Sequence, residues 1–398
     1  MAKSLESNFF SSLKFYCQNF FFLFTTYLIF PLVLLLISMK FVSKKPKSGS
    51  RILVLQTAKI GDMVCTTPVF REIKKKYPES FLAVLIISKT SGLIFNNPYI
   101  DKIIFLDDKK YKSSGGVFRL IKDLARERYD WSVSLNPNLL NNILPFWSLI
   151  PKRISFTSKY LTKSTRLSYI FVNRKKEFLR IEPAFRQYLG ILDFMRIRNA
   201  NEKKDVFISK EAEQKARDFL AKNKVFVSDF LVGISVGSGN PLKDWDLEKF
   251  SQLADKLIVN LKAKVIFVGS PQESELIAKT ISLMKNPGLN ASGEFRLDEI
   301  AGLMQNFKMF ISVDTGPLYI ADALGVGVVD IIGPFNVIEQ LDLNGKCAVV
   351  SKNLYCFPCV HIMPSVYQCQ EGHFRCTRDI SADDVYQAVL KLKNKYGL

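Results

Sequence analysis

The stretch VLQTAKIGDMVCTTPVFREI, from Val54 to Ile73, decides the fold class. It begins with an apolar run typical of a buried strand, and a polar loop with Lys59, Gly61 and Asp62 follows. An amphipathic pattern typical of a helix then begins at once. A strand that leads through a short loop into a helix is the first half of a βαβ unit, which builds parallel sheets. The sequence does not say at this point whether the carboxylate of Asp62 has a chemical or a structural role.

The same alternation continues on both sides of a basic middle section at residues 162–204. Short apolar runs alternate with helical ones in each half, as in open parallel sheets covered by helices on both faces. For 398 residues we predict an α/β protein with two doubly wound domains, at residues 51–205 and 206–398, that face a cleft. The predicted strands begin at Arg51, Phe81, Asp101, Trp131 and Arg153, and then at Phe230, Ala263, Phe307 and Val326.

An uncharged apolar segment, Phe15 to Met39, precedes the first domain. It exceeds the roughly 20 residues that cross a bilayer as a helix, and it is too long for the apolar region of a signal peptide. More Lys and Arg residues follow this segment than precede it. We therefore predict that residues 1–50 are a membrane anchor with a basic tether, Val42 to Ser50, and that the domains are cytoplasmic. Pro31 leaves open whether the helix spans the bilayer or lies in one leaflet.

The formal net charge of +19 predicts partners that carry negative charge. Phosphorylated small molecules and anionic lipid headgroups fit this expectation. Nucleic acid ranks last, because the sequence contains no helix-turn-helix, zinc-finger or RNP-type pattern. We expect no nucleic-acid partner.

Four stretches carry a family resemblance: ILVLQTAKIGDMVCTTPVFREIKKKYP from Ile52, GISVGSGNPLKDWDLEKFSQLADKL from Gly233, VIFVGSPQESELIAKTI from Val265 and ISVDTGPLYIADALGVGVVDIIGP from Ile311. In this order they resemble glycosyltransferase family nine, the bacterial lipopolysaccharide heptosyltransferases. The resemblance implies two Rossmann-like domains in the GT-B architecture, the first binding acceptor and the second nucleotide sugar. It also implies inverting transfer that requires no cofactor or metal, with ADP-heptose as the default donor.

With the predicted anchor, the resemblance implies a lipid-linked anionic glycan acceptor, such as lipopolysaccharide core. It likewise implies a location at the cytoplasmic face of the bacterial inner membrane. The alternatives are a transferase for another nucleotide sugar and glycolipid, and a non-catalytic nucleotide- or lipid-binding protein on the same fold. A scaffold for anionic lipid or nucleic acid is a third class.

In the family, the carboxylate of the Gly-Asp pair after the first strand is the general base, and here that residue is Asp62. Inverting transfer needs one base to take the proton of the acceptor hydroxyl. A carboxylate at the head of a helix is also held ionised by the helix dipole. The alternative is a purely structural helix cap, for which Asp is a preferred residue. Lys59 and Gly61 are expected to help hold substrate.

The donor site is predicted at DTGP, that is Asp314, Thr315, Gly316 and Pro317. This stretch follows a strand and opens a helix, so its backbone N–H groups suit a diphosphate. An ordinary strand-to-helix turn capped by Asp is the alternative. The resemblance implies that Lys243 contacts the donor phosphates, where a cation stabilises the departing diphosphate.

Two further residues complete the predicted substrate site. Glu273, at the end of another strand, is placed to accept hydrogen bonds from ribose hydroxyls, or it is an ordinary first-turn Glu. Ser238 lies in the loop before Lys243 and is expected to contact substrate. The sequence departs from the family pattern at Tyr319, where the family commonly has His, and around Trp245.

Four of the seven cysteines lie together: Cys356, Cys359, Cys369 and Cys376. A cytoplasmic chain keeps thiols reduced, so a local cluster indicates metal before disulfides. We predict a structural zinc site at these four residues, with unligated reduced thiols as the alternative.

Overall fold

A computed structural model describes residues 23–38, 49–111, 115–339, 341–362 and 368–398. In these ranges the chain forms two six-stranded sheets, and all the strand pairs in both are parallel. Helices cover both faces of each sheet, and on each face they pack against the strands in a buried apolar cluster. The predicted α/β class with two doubly wound halves is confirmed.

The first sheet has the order β3-β2-β1-β4-β5-β6. Its strands are β1 (Arg51–Leu55), β2 (Phe81–Ile86), β3 (Lys102–Phe105), β4 (Trp131–Ser134), β5 (Lys152–Thr157) and β6 (Arg174–Glu177). The helices that accompany it are α2 (Ile60–Lys76), α3 (Gly116–Arg126), α4 (Leu139–Trp147), α5 (Lys163–Leu167) and α6 (Ala184–Gly190).

The second sheet has the order β12-β11-β10-β7-β8-β9. Its strands are β7 (Leu231–Ser235), β8 (Lys264–Phe267), β9 (Leu289–Asn290), β10 (Met309–Val313), β11 (Gly327–Ile331) and β12 (Cys347–Val350). The helices are α7 (Lys210–Lys222), α8 (Leu247–Leu261), α9 (Ser274–Ser282), α10 (Ile300–Met304), α11 (Gly316–Ala323), α12 (Arg375–Arg378) and α13 (Ala382–Tyr396).

Three strands, β6, β9 and β12, were not predicted, and each is the outer strand of its sheet on one side. Strand β6 reads RKKE, which lacks the apolar pattern of a central strand. An outer strand tolerates such residues because it is covered less completely. The basic middle section therefore contributes to the first sheet.

The strand order reverses beside β1 in one sheet and beside β7 in the other. Ligands of open parallel sheets bind in the crevice that this reversal creates beyond the carboxyl ends of the strands. The loop from β1 to α2 and the loop from β10 to α11 both begin there. One buried apolar cluster runs from β1 and α2 to β10 and α11, so the two halves are packed against each other.

The described part of the apolar N-terminal segment is a helix, α1, over residues 23–38. In the part of the chain that the structure describes, no helix has the length and apolar character to cross a membrane. The rest of the predicted anchor and most of the basic tether lie outside the described residues. The membrane anchor and the domain boundary at residue 205 stay predictions.

Candidate active site

The loop between β1 and α2 is fixed by buried polar side chains. Gln56 is buried, and its Nε2 donates to Thr66 Oγ1 of α2 over 2.8 Å. Asn141 of α4 donates from Nδ2 to Thr57 Oγ1 over 2.8 Å. Helix α2 then begins at Ile60. Because these bonds tie the loop to two helices, its position in the crevice is set by the rest of the domain.

Asp62 lies in the first turn of α2 and is half-buried. Lys59 is the N-cap residue of this helix, and Asp62 Oδ2 accepts from its N–H at 3.3 Å, so Asp62 contributes to capping from the third helical position and is not itself the N-cap. Its Oδ1 accepts from the hydroxyl of Tyr188 on α6 at 3.2 Å. Desolvation raises the pKa of Asp62, against the lowering effects of these two bonds and of the charges on Lys59 and Lys243. A raised pKa suits a carboxylate that must accept a proton and hold it. Lys243, one of the charges that act on Asp62, follows β7 of the second sheet, so groups from both halves of the chain influence this carboxylate.

The loop between β10 and α11 holds an acid in a different way. Asp314 is buried, and Lys243 Nζ donates to its main-chain oxygen over 2.8 Å and to its Oδ2 over 2.5 Å. The hydroxyl of Tyr319 donates to its Oδ1. Lys243 also lies 3.8 Å from the centre of the Phe335 ring. Asp314 therefore binds Lys243 instead of capping the helix, which begins at Gly316 after Thr315.

The two loops touch through reciprocal glycine contacts. A Cβ on Gly61 would lie 2.7 Å from the Tyr319 ring, and one on Gly316 would lie 2.5 Å from Ile60 Cγ2. Real side chains do not approach so closely, so each glycine admits a side chain from the first turns of the facing helix. The N-terminal ends of α2 and α11 consequently meet, which brings Gly61 and Asp62 together with the DTGP loop, including Pro317.

Glu273 and Ser238 lie in the neighbouring loops of the second sheet. Glu273 Oε2 accepts from the N–H and the hydroxyl of Ser270, each at 2.7 Å, so the alternative of a first-turn capping Glu is realised. Its other oxygen, Oε1, would be 1.9 Å from a Cβ on Gly237, so the carboxylate lies against the loop after β7. Ser238 Oγ bonds to Asp244 Oδ1 at 2.6 Å. It shapes the loop that carries Lys243.

Two residues near the site were missed in the sequence. Asp330 on β11 is fully buried, and neither of its carboxylate oxygens has a hydrogen-bond partner among the described residues. Burial and then the charge of Asp314 raise its pKa well above the ordinary value, against the effect of Lys243. An acid inside the apolar run VGVVDIIGP was an available signal. Tyr188, the partner of Asp62, had no such signal.

The four clustered cysteines line one cavity of about 290 Å³ together with His373. Cys356 Sγ is 3.8 Å from His373 Nε2, and all four thiols are free. Backbone N–H groups, with that of Phe374 first, lower the pKa of Cys369. Within the described ranges, however, no three His, Cys, Asp or Glu side chains are placed to hold one metal ion. The zinc site predicted at these cysteines remains a prediction.

Comparison with known proteins identifies relatives over most of the chain. The model of glycosyltransferase family 9 (heptosyltransferase) matches residues 117–369, more than half of the sequence. This range includes the second, third and fourth motifs and begins after Asp62. A lipopolysaccharide core heptosyltransferase, OpsX, of Haemophilus influenzae is 24% identical over 318 residues, which are 79% of this chain and 86% of that protein.

Solved structures show the same fold. The crystal structure of a family 9 glycosyl transferase from Veillonella parvula has a TM-score of 0.75 and 24% identity, and the match covers 88% of this chain and 99% of that one. The Escherichia coli ADP-heptose lipopolysaccharide heptosyltransferase II has a TM-score of 0.66 and 18% identity, with 87% and 100% covered. The two-domain architecture predicted from the motifs is confirmed by these matches.

Proposed function

The chain belongs to glycosyltransferase family 9 (heptosyltransferase), the family that its four motifs resemble, and on this basis we propose its function. The chain is a glycosyltransferase; its donor, acceptor and catalytic residues are our proposal. It transfers a sugar from a nucleotide sugar, by family default ADP-heptose, to a hydroxyl of a lipid-linked anionic glycan such as lipopolysaccharide core. Transfer inverts the anomeric centre and needs no metal.

One observation carries this proposal: the first turn of α2, which holds Asp62, packs through Gly61 against the Tyr319 ring, and Tyr319 and Lys243 both bond to Asp314. A base and a phosphate-binding cation thus occupy opposite walls of one crevice. Asp62 takes the proton of the acceptor hydroxyl as its oxygen bonds to the anomeric carbon. The bond from that carbon to the diphosphate breaks at the same time, on the opposite face. The nucleoside diphosphate leaves with the electron pair.

Lys243 and the N-terminal end of α11 stabilise the negative charge that develops on the departing diphosphate. Asp314 and Phe335 hold the ammonium group in place before the donor binds. A cation that is already positioned loses little conformational freedom when substrate arrives, which favours the transition state. Glu273, beside the loop after β7, receives the ribose hydroxyls. Thr315 and Gly316 provide backbone N–H groups to the diphosphate.

The acceptor is expected at the first domain and at a membrane surface. The net charge of +19 favours an anionic acceptor and an anionic lipid surface. We therefore place the enzyme at the cytoplasmic face of a bacterial inner membrane, associated with it through the N-terminal apolar segment. That location would raise the rate of encounter with a lipid-linked substrate.

The test is calorimetric titration of the purified protein with ADP, UDP, GDP and CDP, repeated with Lys243→Ala. We expect one nucleoside diphosphate to bind selectively, and the substitution to weaken its binding at least about tenfold because a charged hydrogen bond is lost. Lys391→Ala, an exposed lysine on α13, is the matched control and should bind as the wild type does. Absence of binding by folded wild-type protein would overturn the donor site.

Transfer is tested separately, with the selected nucleotide sugar and a lipid-linked acceptor in the presence of a chelator. Turnover that survives the chelator is expected for a reaction without metal. Nucleotide binding with neither transfer nor hydrolysis would favour the non-catalytic alternative. Metal analysis of protein purified without chelator decides the zinc prediction, and a zinc content near zero would remove it.

A further inference from the structure

Helix α1 lies along the surface of the first domain. Its inner face packs on α4 and on the turn of 3₁₀ helix at Ser168–Phe171. Trp147 Nε1 donates to Thr26 Oγ1 over 2.8 Å, and the hydroxyl of Tyr27 donates to the main-chain oxygen of Leu167 over 3.0 Å. The Phe30 ring stacks on Phe146, with centroids 5.4 Å apart. The remaining buried members of this contact are Leu23, Val33, Ile37, Leu139, Ile143 and Phe171.

The opposite face of α1 is apolar and exposed. Leu28, Leu32 and Leu35 recur at the spacing of one helix face and are 71%, 59% and 60% exposed. Leu167, whose main-chain oxygen accepts from Tyr27, and Ile170, next to the Phe171 ring that packs edge-on against Tyr27, are exposed at the edge of this contact. We call these five leucine and isoleucine residues the outer apolar face. An exposed group of large apolar side chains of this kind marks an interaction site.

Basic residues border the outer apolar face. Lys163 and Arg166 are exposed on α5, immediately before Leu167. On another side Phe118 is exposed and packs edge-on against Trp147 at 5.9 Å, and Arg119 follows it on the surface of α3. Apolar residues bordered by Lys and Arg are the pattern of a surface that enters the boundary of an anionic bilayer. The charge pattern therefore favours a lipid surface over a second protein.

We propose that the outer apolar face inserts into one leaflet of an anionic bilayer, with α1 parallel to the membrane plane. A helix that crosses the bilayer would be separated from α4, which would expose Phe146 and break the bond from Trp147 to Thr26. In-plane insertion keeps both contacts. This proposal deepens the proposed function, on which it rests for the reason to meet a membrane, since a lipid-linked acceptor is reached at the bilayer surface.

The first test is cosedimentation of the full chain with vesicles of phosphatidylglycerol and phosphatidylcholine. The triple variant Leu28→Glu, Leu32→Glu and Leu35→Glu is expected to lose at least about tenfold in binding, because three apolar side chains no longer enter the lipid. The control adds the same charges at exposed apolar positions of the other domain: Phe226→Glu, Val227→Glu and Val259→Glu. The control should bind as the wild type does.

The basic border is tested with Lys163→Gln and Arg166→Gln together. This pair should weaken binding to vesicles with phosphatidylglycerol and should leave the weaker binding to pure phosphatidylcholine unchanged. Lys391→Gln with Lys395→Gln, on α13, is the matched control. Equal binding by the wild type to both kinds of vesicle would contradict the charge contribution.

The orientation of α1 relative to the membrane plane is tested by measuring how deep two added tryptophans lie in the bilayer. Leu28→Trp and Leu35→Trp are seven residues apart on one face, which is about 10 Å along a helix. In vesicles with lipids brominated at defined depths, the added fluorescence of both variants should be quenched most strongly by the same shallow bromine position. Quenching maxima at clearly different depths would show a spanning helix and overturn the proposal.

The outcomes separate this proposal from the proposed function. Vesicle binding is measured without nucleotide, and nucleotide binding is measured without lipid, so either can fail alone. If the triple Glu variant binds vesicles like the wild type, the outer apolar face is not the insertion surface. If the wild type ignores vesicles but sediments as a dimer that the triple variant abolishes, the face binds a second copy and the proposal is wrong.

Discussion

The β1–α2 loop and the β10–α11 loop have the same plan and hold their acids differently. Each joins a central strand to a helix, and the first turn of that helix contains a glycine that admits a side chain of the other helix. Asp62 accepts two bonds, of 3.3 and 3.2 Å, from an N–H group and a hydroxyl. Asp314 is buried against the ammonium group of Lys243 and the hydroxyl of Tyr319.

This difference separates two roles for the same residue type. Both carboxylate oxygens of Asp314 already accept hydrogen bonds, from Lys243 and from Tyr319, so neither is available to take a proton from an acceptor hydroxyl. A half-buried carboxylate with a raised pKa accepts one more readily. The comparison therefore assigns proton transfer to Asp62 and the positioning of Lys243 to Asp314, although both acids lie where a central strand leads into a helix.

The largest expected effect is on turnover. Asp62→Asn should lower kcat by about 10²–10⁴-fold, the range for loss of a general base. Its affinity for the nucleoside diphosphate should stay near that of the wild type, because the donor site is in the other loop. Steady-state kinetics and calorimetry on the same sample measure both quantities. A folded variant with wild-type turnover would end the assignment of Asp62 as base.

Asp314→Asn should act mainly on stability. It leaves the partly buried ammonium of Lys243 without its counter-charge; breaking a buried ion pair costs about 3–5 kcal/mol, and this pair should lie at or below the lower end of that range. Denaturant unfolding should show this loss, whereas Asp62→Asn should show little. If the two variants lose equal stability, the contrast between the two loops is wrong.

Gly61→Ala should have a smaller effect, because its methyl group would meet the Tyr319 ring at 2.7 Å. Overpacking of this kind costs about 1–3 kcal/mol, here through the contact between the two loops. The control is Gly239→Ala, where an added Cβ has no neighbour within 4 Å. Thermal unfolding of both variants should separate them, and equal melting temperatures would show that the loops do not pack as described.

The smallest expected effect is a shift in pH dependence. Asp62 acts as base only when deprotonated, so kcat/KM should rise with pH through the pKa of Asp62. The hydroxyl of Tyr188 lowers this pKa, and Tyr188→Phe should therefore move the acid limb of the profile to higher pH. Tyr396→Phe, which removes a hydroxyl bonded to the main-chain oxygen of Gly345 and not to Asp62, should not move it. A shift to lower pH would contradict the described hydrogen bond.

Much of the site was readable in the sequence because its residues lie in loops that follow predicted strands. Asp62 and the DTGP loop were found in this way, and the family resemblance singled out Lys243; all three come together in the structure. Tyr188 was missed because 126 residues separate it from Asp62, and no local pattern indicates that they meet. Asp330 was missed although an acid in a buried strand is unusual. The outer strands were missed because they are short or polar.

The sequence by itself determined the fold class and the positions of the site loops. Strand and helix periodicities are local, and a loop at the carboxyl end of a parallel strand must reach the crevice. Only the tertiary structure decided which partner each acid has: Tyr188 for Asp62, and Lys243 with Tyr319 for Asp314. Tyr188 and Lys243 lie 126 and 71 residues from the acids that they contact, so the role of each acid follows from packing and cannot be read from its sequence neighbours alone.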